Sequence, residues 1–206
     1  MTSVLSKKDS IFVAGHSGMV GSAIVRQLEK LEFVNILTES RNNVDLTDQS
    51  TVINFFSTNK IDYVVLAAAR VGGIFANSEY PAEFIYENLM IQTNLIHASF
   101  LAGVKNLIFL GSSCIYPKNV KQPMKKKTKE SFINIGSGIE KSITGYAKFI
   151  MKKLKVKLKI NYDISKPNGM KRKILDLSIS RKYGWVSKTS LDKSFDLVYQ
   201  DFVKYL

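Results

Sequence analysis

The first 110 residues alternate short apolar runs with segments whose apolar positions recur every three or four residues. Ser10–Ala14 (SIFVA) is an unbroken apolar run ending at glycine, the mark of a buried strand. Val20, Ala23, Ile24, Leu28 and Leu31 stand at helical spacing over Met19–Leu31. Phe33–Thr38 predicts a second strand, and Asp48 or Ser50 caps a helix over Val52–Ser57. Tyr63–Ala68 (YVVLAA) predicts a third strand. Pro81 suits the first turn of a long helix reaching about Ala102. Leu107–Leu110 predicts a fourth strand, stopped by Gly111-Ser112-Ser113. Helices alternating with apolar strands predict an α/β fold: a doubly wound parallel sheet covered on both faces.

The pattern breaks after Pro117. Lys118–Glu130 is polar and basic, a loop or junction. Ser131–Ile135 (SFINI) predicts a strand, ended by Gly136-Ser137-Gly138, and Ile139–Leu154 an amphipathic helix. Val156–Tyr162 (VKLKINY) alternates apolar residues with lysine at period two, which predicts a strand with one wet face. Pro167-Asn168-Gly169 reads as a turn. A short helix over Ser178–Tyr183 ends at Gly184. Ser190 caps a last helix with Leu191, Phe195, Val198 and Phe202 on one face. This divides the chain into an α/β domain over 1–120, a basic junction over 121–131 and a small α+β lobe over 132–206.

Composition narrows the function classes. A chain of 206 residues with 45% hydrophobic residues can bury a proper core and is not wholesale disordered. No apolar run approaches the roughly 18–20 residues that span a bilayer. The start, MTSVLSKKDS, lacks the apolar core and cleavage site of a signal peptide, so a cytoplasmic location is expected. The single cysteine, Cys114, excludes an intramolecular disulfide and offers no zinc constellation. The net charge of +13 is unevenly spread. Residues 1–120 hold 9 Lys+Arg against 10 Asp+Glu, and residues 121–206 hold 21 against 7. Such a split fits a nucleic-acid or membrane-surface module, a lobe for an anionic small molecule, or a solvated lysine-rich surface. Lys155, Lys157 and Lys159 share one face of their predicted strand, with only Tyr162 as an aromatic platform nearby. Nucleic-acid and membrane partners are therefore not expected.

Gly15-His16-Ser17-Gly18-Met19-Val20-Gly21 is G-x-x-G-x-x-G, placed directly after a strand and opening a helix. In that context the motif points to a Rossmann-type dinucleotide site. Gly15 allows the tight turn, Gly18 lets a pyrophosphate approach the backbone, and Gly21 lets the helix pack closely. The helix N-terminus supplies free N–H groups and partial positive charge. At the end of the second strand, Glu39 could accept from a ribose 2′-hydroxyl, whereas Arg41 could meet a 2′-phosphate.

The glycine spacing resembles the short-chain dehydrogenase/reductase superfamily. Longer strings resemble one family within it, GDP-L-fucose synthase, of the NAD-dependent epimerase/dehydratase group. These are GHSGMVG at Gly15–Gly21, LAAARVGGIFAN at Leu66–Asn77, YPAEFIYEN at Tyr80–Asn88 and LGSSCIYPK at Leu110–Lys118. The resemblance resumes at Ile133–Gly138 (INIGSG), Ser165–Lys173 (SKPNGMKRK) and Asp176–Trp185 (DLSISRKYGW). It implies NADPH as cofactor, with NAD the lesser alternative. The implied cofactor-binding residues are Gly15, His16, Ser17, Gly18, Met19, Val20, Gly21, Arg41, Asp45, Leu46, Ala68, Leu110, Gly111 and Ser113. Arg41 falls at the family's phosphate-binding arginine, and Ser17 where the family carries a second one. The implied substrate is a GDP-4-keto-6-deoxymannose, epimerised at C3 and C5 and reduced at C4. Asn168 and Lys173 are the implied substrate contacts, Asn168 standing where the family has aspartate. The resemblance also implies a homodimer built on long helices such as Pro81–Ala102.

In this superfamily a tyrosine acts as general acid, a lysine four residues on lowers its pKa, and a serine orients the substrate oxygen. Ser112 matches that serine, and Cys114 the family's proton-transfer cysteine; these two are the implied catalytic residues. Only Tyr162 has a lysine, Lys166, at the required spacing, and it stands in the predicted wet strand rather than on a helix. The family's own Tyr-x-x-x-Lys lies between segments that are joined here by Lys118–Phe132 alone. The resemblance thus implies an internal deletion between about residues 119 and 132, removing tyrosine, lysine and the catalytic histidine. His16 sits in the glycine loop, and His97 reads as a structural residue of the long helix. The alternative to an enzyme is a non-catalytic dinucleotide-binding remnant, or a partner of an intact paralogue.

Overall fold

The computed structural model describes residues 5–117, 119–124, 132–165 and 171–204. The chain forms two compact units, Met1–Gly111 and Ser112–Leu206. Among the described residues, no helix is long and apolar enough to cross a membrane.

The first unit runs β1 (Ser10–Ala14), α1 (Met19–Lys30), β2 (Asn35–Leu37), α2 (Gln49–Thr58), β3 (Tyr63–Leu66), α3 (Ile74–Glu79), α4 (Pro81–Leu101) and β4 (Asn106–Phe109). The four strands form one parallel sheet in the order β2-β1-β3-β4. Every residue of β1 is buried, as its unbroken apolar run predicts for a central strand. Phe12, Ala14, Val64 and Leu66 face one side, against Val52, Phe55 and Phe56 of α2 and Ile91, Leu95 and Ala98 of α4. The Phe12 and Phe55 rings meet at 4.8 Å between centroids. Ile11, Val13 and Val65 face the other side, against Ile24, Val25 and Leu28 of α1. Asp48 caps α2 by accepting the Thr51 N–H at 3.0 Å, and Pro81 opens α4, both as the sequence predicts.

The structure adds three details to this pattern. Val20 and Leu31 lie off the packing face of α1 and are 49% and 47% exposed. The sheet is not covered evenly on both faces. Ile108, on the α1 side of β4 beside Val65, is 58% exposed, because α1 reaches only the strands at its own end. His97 is exposed on α4 and takes no part in the core. The side of α4 turned away from the sheet leaves Ile85, Leu89, Ile96 and Phe100 exposed, so this helix is apolar on two faces.

Among its described residues the second unit holds a 3-10 turn at Ser113–Ile115 and the helices α5 (Ile143–Lys153), α6 (Ser178–Lys182) and α7 (Leu191–Val203). Its buried residues include Met124, Leu177 and Ser180. Met124 forms a parallel bridge with Leu175: its N–H donates to the Ile174 carbonyl at 2.8 Å, and its carbonyl accepts the Asp176 N–H at 3.1 Å. Asn134 donates to the carbonyls of Met124 and Asp176 at 3.2 and 3.3 Å. Ser142 caps α5 and Ser190 caps α7. Phe149 of α5 meets Phe195 of α7 edge-on at 5.8 Å. Val198 and Phe202 lie outside that contact, 64% and 57% exposed.

The two strands predicted for this half do not form among the described residues. Residues 132–135 and 156–162 carry no strand. The lysine-alternating segment has the periodicity of a strand, but among the described residues no strand pairs with it. The Asn168 turn and residues 125–131 of the basic junction lie outside the described residues.

Candidate functional site

The first unit carries a cleft of about 570 Å³ at the C-terminal ends of β1, β2 and β3. This is where an open parallel sheet receives its ligands. One wall is the glycine turn, Gly15, His16, Ser17 and Gly18. A second is the loop after β2, with Glu39, Ser40, Arg41, Val44, Asp45, Leu46 and Thr47. The third is the run after β3, Ala67 to Arg70, with Glu87 and Ile91 of α4.

The glycine turn allows no side chain at two of its positions. Gly15 has φ +85°, and a Cβ there would lie 2.7 Å from the Ala68 nitrogen. A Cβ on Gly21 would lie 2.0 Å from the Gly15 carbonyl oxygen. Gly21 therefore packs α1 onto the turn itself, a closer reason than contact with the sheet. Gly18 is the N-cap of α1, with no side-chain cap and no acid in the first turn. The first N–H groups of the helix are left with their partial positive charge uncompensated. His16 lines the cleft, and its Nδ1 is buried without a hydrogen-bond partner.

The other two walls are tied together by charge. Arg41 Nε lies 3.6 Å from Asp45 Oδ2, and its Nη1 lies 3.8 Å from Glu87 Oε2. Asp45 Oδ1 accepts the Thr47 hydroxyl at 2.7 Å and the Thr47 N–H at 2.9 Å. Those two bonds, with Arg41 nearby, hold the Asp45 carboxyl below its ordinary pKa. Asn94 of α4 donates to the Leu46 carbonyl at 3.0 Å and fixes that loop. Arg70 pairs with Glu87. Glu39 accepts from the Asn43 amide at 2.9 Å.

Of the residues expected to hold a cofactor, the cleft gathers Gly15, His16, Ser17, Gly18, Arg41, Asp45, Leu46 and Ala68. Met19, Val20 and Gly21 form the first turn of α1, outside its lining. Leu110 and Gly111 follow β4 and do not line it either. Arg70 and Glu87 do line it and were not expected. The available signal was an arginine directly after the third strand's small-residue run, with an acid on the next long helix.

Ser112, Ser113 and Cys114 belong to the second unit. Ser112 Oγ accepts the Cys114 N–H at 3.2 Å. Lys173 Nζ stands 3.4 Å from Cys114 Sγ, so an expected catalytic residue and an expected substrate contact are neighbours. Hydrogen bonding from Ser112, then Lys173, draws the Cys114 thiol below its ordinary pKa. Tyr162 is 67% exposed on a segment without secondary structure, its hydroxyl 3.0 Å from that of Thr144. Lys166 lies outside the described residues.

Comparison with known proteins matches this geometry. The family profile described as NAD dependent epimerase/dehydratase family matches residues 11–166. GDP-L-fucose synthase 1 of Arabidopsis thaliana is 56% identical over 124 residues, covering 60% of this chain and 38% of that protein. GDP-L-fucose synthase of Escherichia coli (strain K12) is 56% identical over 117 residues, covering 57% and 36%. A solved GDP-mannoheptose C4 reductase from Campylobacter jejuni with NADP bound is 45% identical, with a TM-score of 0.57, covering 59% of this chain and 38% of that one. The chain thus spans little more than a third of the length of the relatives it matches. With the parallel sheet, the glycine turn and the profile match in agreement, this chain belongs to the NAD dependent epimerase/dehydratase family.

Proposed function

We propose that the first unit binds NADP(H) in its cleft, and that the chain is a GDP-L-fucose synthase-like nucleotide-sugar oxidoreductase that keeps this half without the groups that complete catalysis. The observation that carries the binding reading is the glycine turn. A Cβ at Gly15 or Gly21 would strike backbone, and the uncapped start of α1 borders the space so left. The first-turn N–H groups suit a pyrophosphate, Arg41 a 2′-phosphate, and Asp45 and Leu46 the adenine side. When bound, the cofactor supplies the hydride for reduction of a 4-keto sugar.

This chain's own residues supply less. The lowered pKa of Cys114 suits it to take a proton from a carbon beside a ketone. Ser112 could orient a sugar oxygen, and Lys173 and Asn168 could meet a GDP-4-keto-6-deoxymannose. Tyr162 is not on a helix and so is not posed as the general acid, help that is typically worth about 10²–10⁴-fold. The internal deletion between about residues 119 and 132 is the reading that accounts for this. The test is NADPH oxidation driven by GDP-4-keto-6-deoxymannose, beside a direct NADPH binding titration. Binding without oxidation is expected, and sustained oxidation by the purified chain would contradict the loss of catalysis.

The reading includes self-association through the outer side of α4. Ile85, Leu89, Ile96 and Phe100 are exposed there as one apolar stripe. The occupant we propose is a second copy of this chain.

A further inference from the structure

We propose that Glu87 sets how strongly the cleft prefers a dinucleotide bearing a 2′-phosphate, by holding Arg41 and Arg70 on one carboxylate. The proposal rests on the reading of the cleft as an NADP site.

The two arginines reach Glu87 on very different terms. Arg70 is fixed. Its N–H donates to Asn88 Oδ1 at 2.8 Å, its carbonyl accepts from Asn88 Nδ2 at 3.0 Å, and its guanidinium lies 4.9 Å from the Phe84 ring centroid. It hydrogen-bonds Glu87, and both side chains are largely shielded, 33% and 21% exposed. Arg41 is held at arm's length, 3.6 Å from Asp45 and 3.8 Å from Glu87, with a side chain 68% exposed. Contacts that long and that wet give way readily to a stronger acceptor.

The charge count then decides the direction. Arg41 and Arg70 face the carboxylates of Asp45 and Glu87, and Glu39 also lines the cleft. Glu39 accepts from the neutral Asn43 amide and keeps its charge, so the lining carries one carboxylate more than it has arginines. An incoming 2′-phosphate gains Arg41 but meets the negative charge of Glu87 beside it. Changing Glu87 to glutamine keeps the side-chain length and removes that charge. It also leaves two guanidinium groups without their shared counter-ion. A dinucleotide with a 2′-hydroxyl in place of the phosphate feels little of this.

The experiment measures dissociation constants for NADPH and NADH on the whole chain, its Glu87→Gln variant and its Arg41→Met variant. We expect Glu87→Gln to raise the preference for NADPH about fivefold, the size of one partly exposed charge pair, through tighter NADPH binding. Arg41→Met is expected to lower the preference. A merely structural Glu87 would weaken both cofactors alike, and that result would overturn the proposal. An unchanged or reduced preference in Glu87→Gln, with Arg41→Met lowering it, also overturns the proposal and leaves the NADP reading standing. A preference indifferent to Arg41, or no binding by the unaltered chain, overturns the NADP reading instead. Glu87→Met removes the same charge and serves if the glutamine variant does not fold.

Discussion

Lys173 holds its ammonium 3.4 Å from the Cys114 sulfur, although 59 positions separate them in the chain. The hydrogen bond from Ser112, and after it the Lys173 ammonium, favours the thiolate. Cys114 is also exposed. Alkylation by iodoacetamide should therefore rise at lower pH than for an ordinary cysteine. Lys173→Met should move the rate profile to higher pH, towards that of a free thiol. Identical profiles for the two chains would show that Lys173 does not act on the sulfur.

The glycine turn makes a sharper stability prediction. A Cβ on Gly21 would sit 2.0 Å from the Gly15 carbonyl oxygen, so backbone must move to admit it. Overpacking of this kind costs about 1–3 kcal/mol. Gly21→Ala should lower the thermal midpoint measurably and weaken NADPH binding, since the displaced backbone is the cleft wall. A variant that binds NADPH as before would mean the turn is not part of that site.

How far these features were readable in advance depends on whether the signal is local. The buried β1, the glycine turn and the caps at Asp48 and Ser190 are set within a few residues, and the sequence pattern predicts each of them. Val156–Tyr162 has the alternation of a strand but pairs with no strand among the described residues, and a strand is made by its partner as much as by its own residues. The uncovered Ile108 reflects how far α1 reaches across the sheet, which periodicity does not carry. The Arg41–Glu87–Arg70 cluster joins residues 46 and 17 positions apart, and only the parallel crossover through β3 brings them together.

At the opposite end of the sheet, Asp62 accepts the Ser10 N–H at 2.9 Å and lies 3.0 Å from Lys105, which also bonds Asp9 at 2.9 Å. The Ser10 N–H, then Lys105, holds Asp62 below its ordinary pKa; Lys105 is the leading cause for Asp9. Depressed carboxylates stabilise the fold above their unfolded pKa and lose that contribution as pH falls through the folded value. The pKa of Lys105 is raised, so its share is present below its ordinary value and is lost only in strongly alkaline solution. The thermal midpoint should thus be level near neutrality and fall below about pH 4. Asp62→Asn should cost about 1–2 kcal/mol at pH 7 and flatten the acid limb. An acid limb unchanged in that variant would remove Asp62 as its cause.

The outer stripe of α4 predicts self-association. Sedimentation of the unaltered chain should give a dimer, and Leu89→Arg, in the middle of that stripe, a monomer with an unchanged thermal midpoint at low concentration. A monomeric unaltered chain would contradict the pairing.

The most direct test of the central claim is thermal unfolding of the purified chain with and without NADPH. A ligand at 100 times its Kd adds about 2.7 kcal/mol to the folded state. A cooperative transition whose midpoint rises with NADPH concentration is expected. A cooperative transition that saturating NADPH leaves unmoved would contradict that claim.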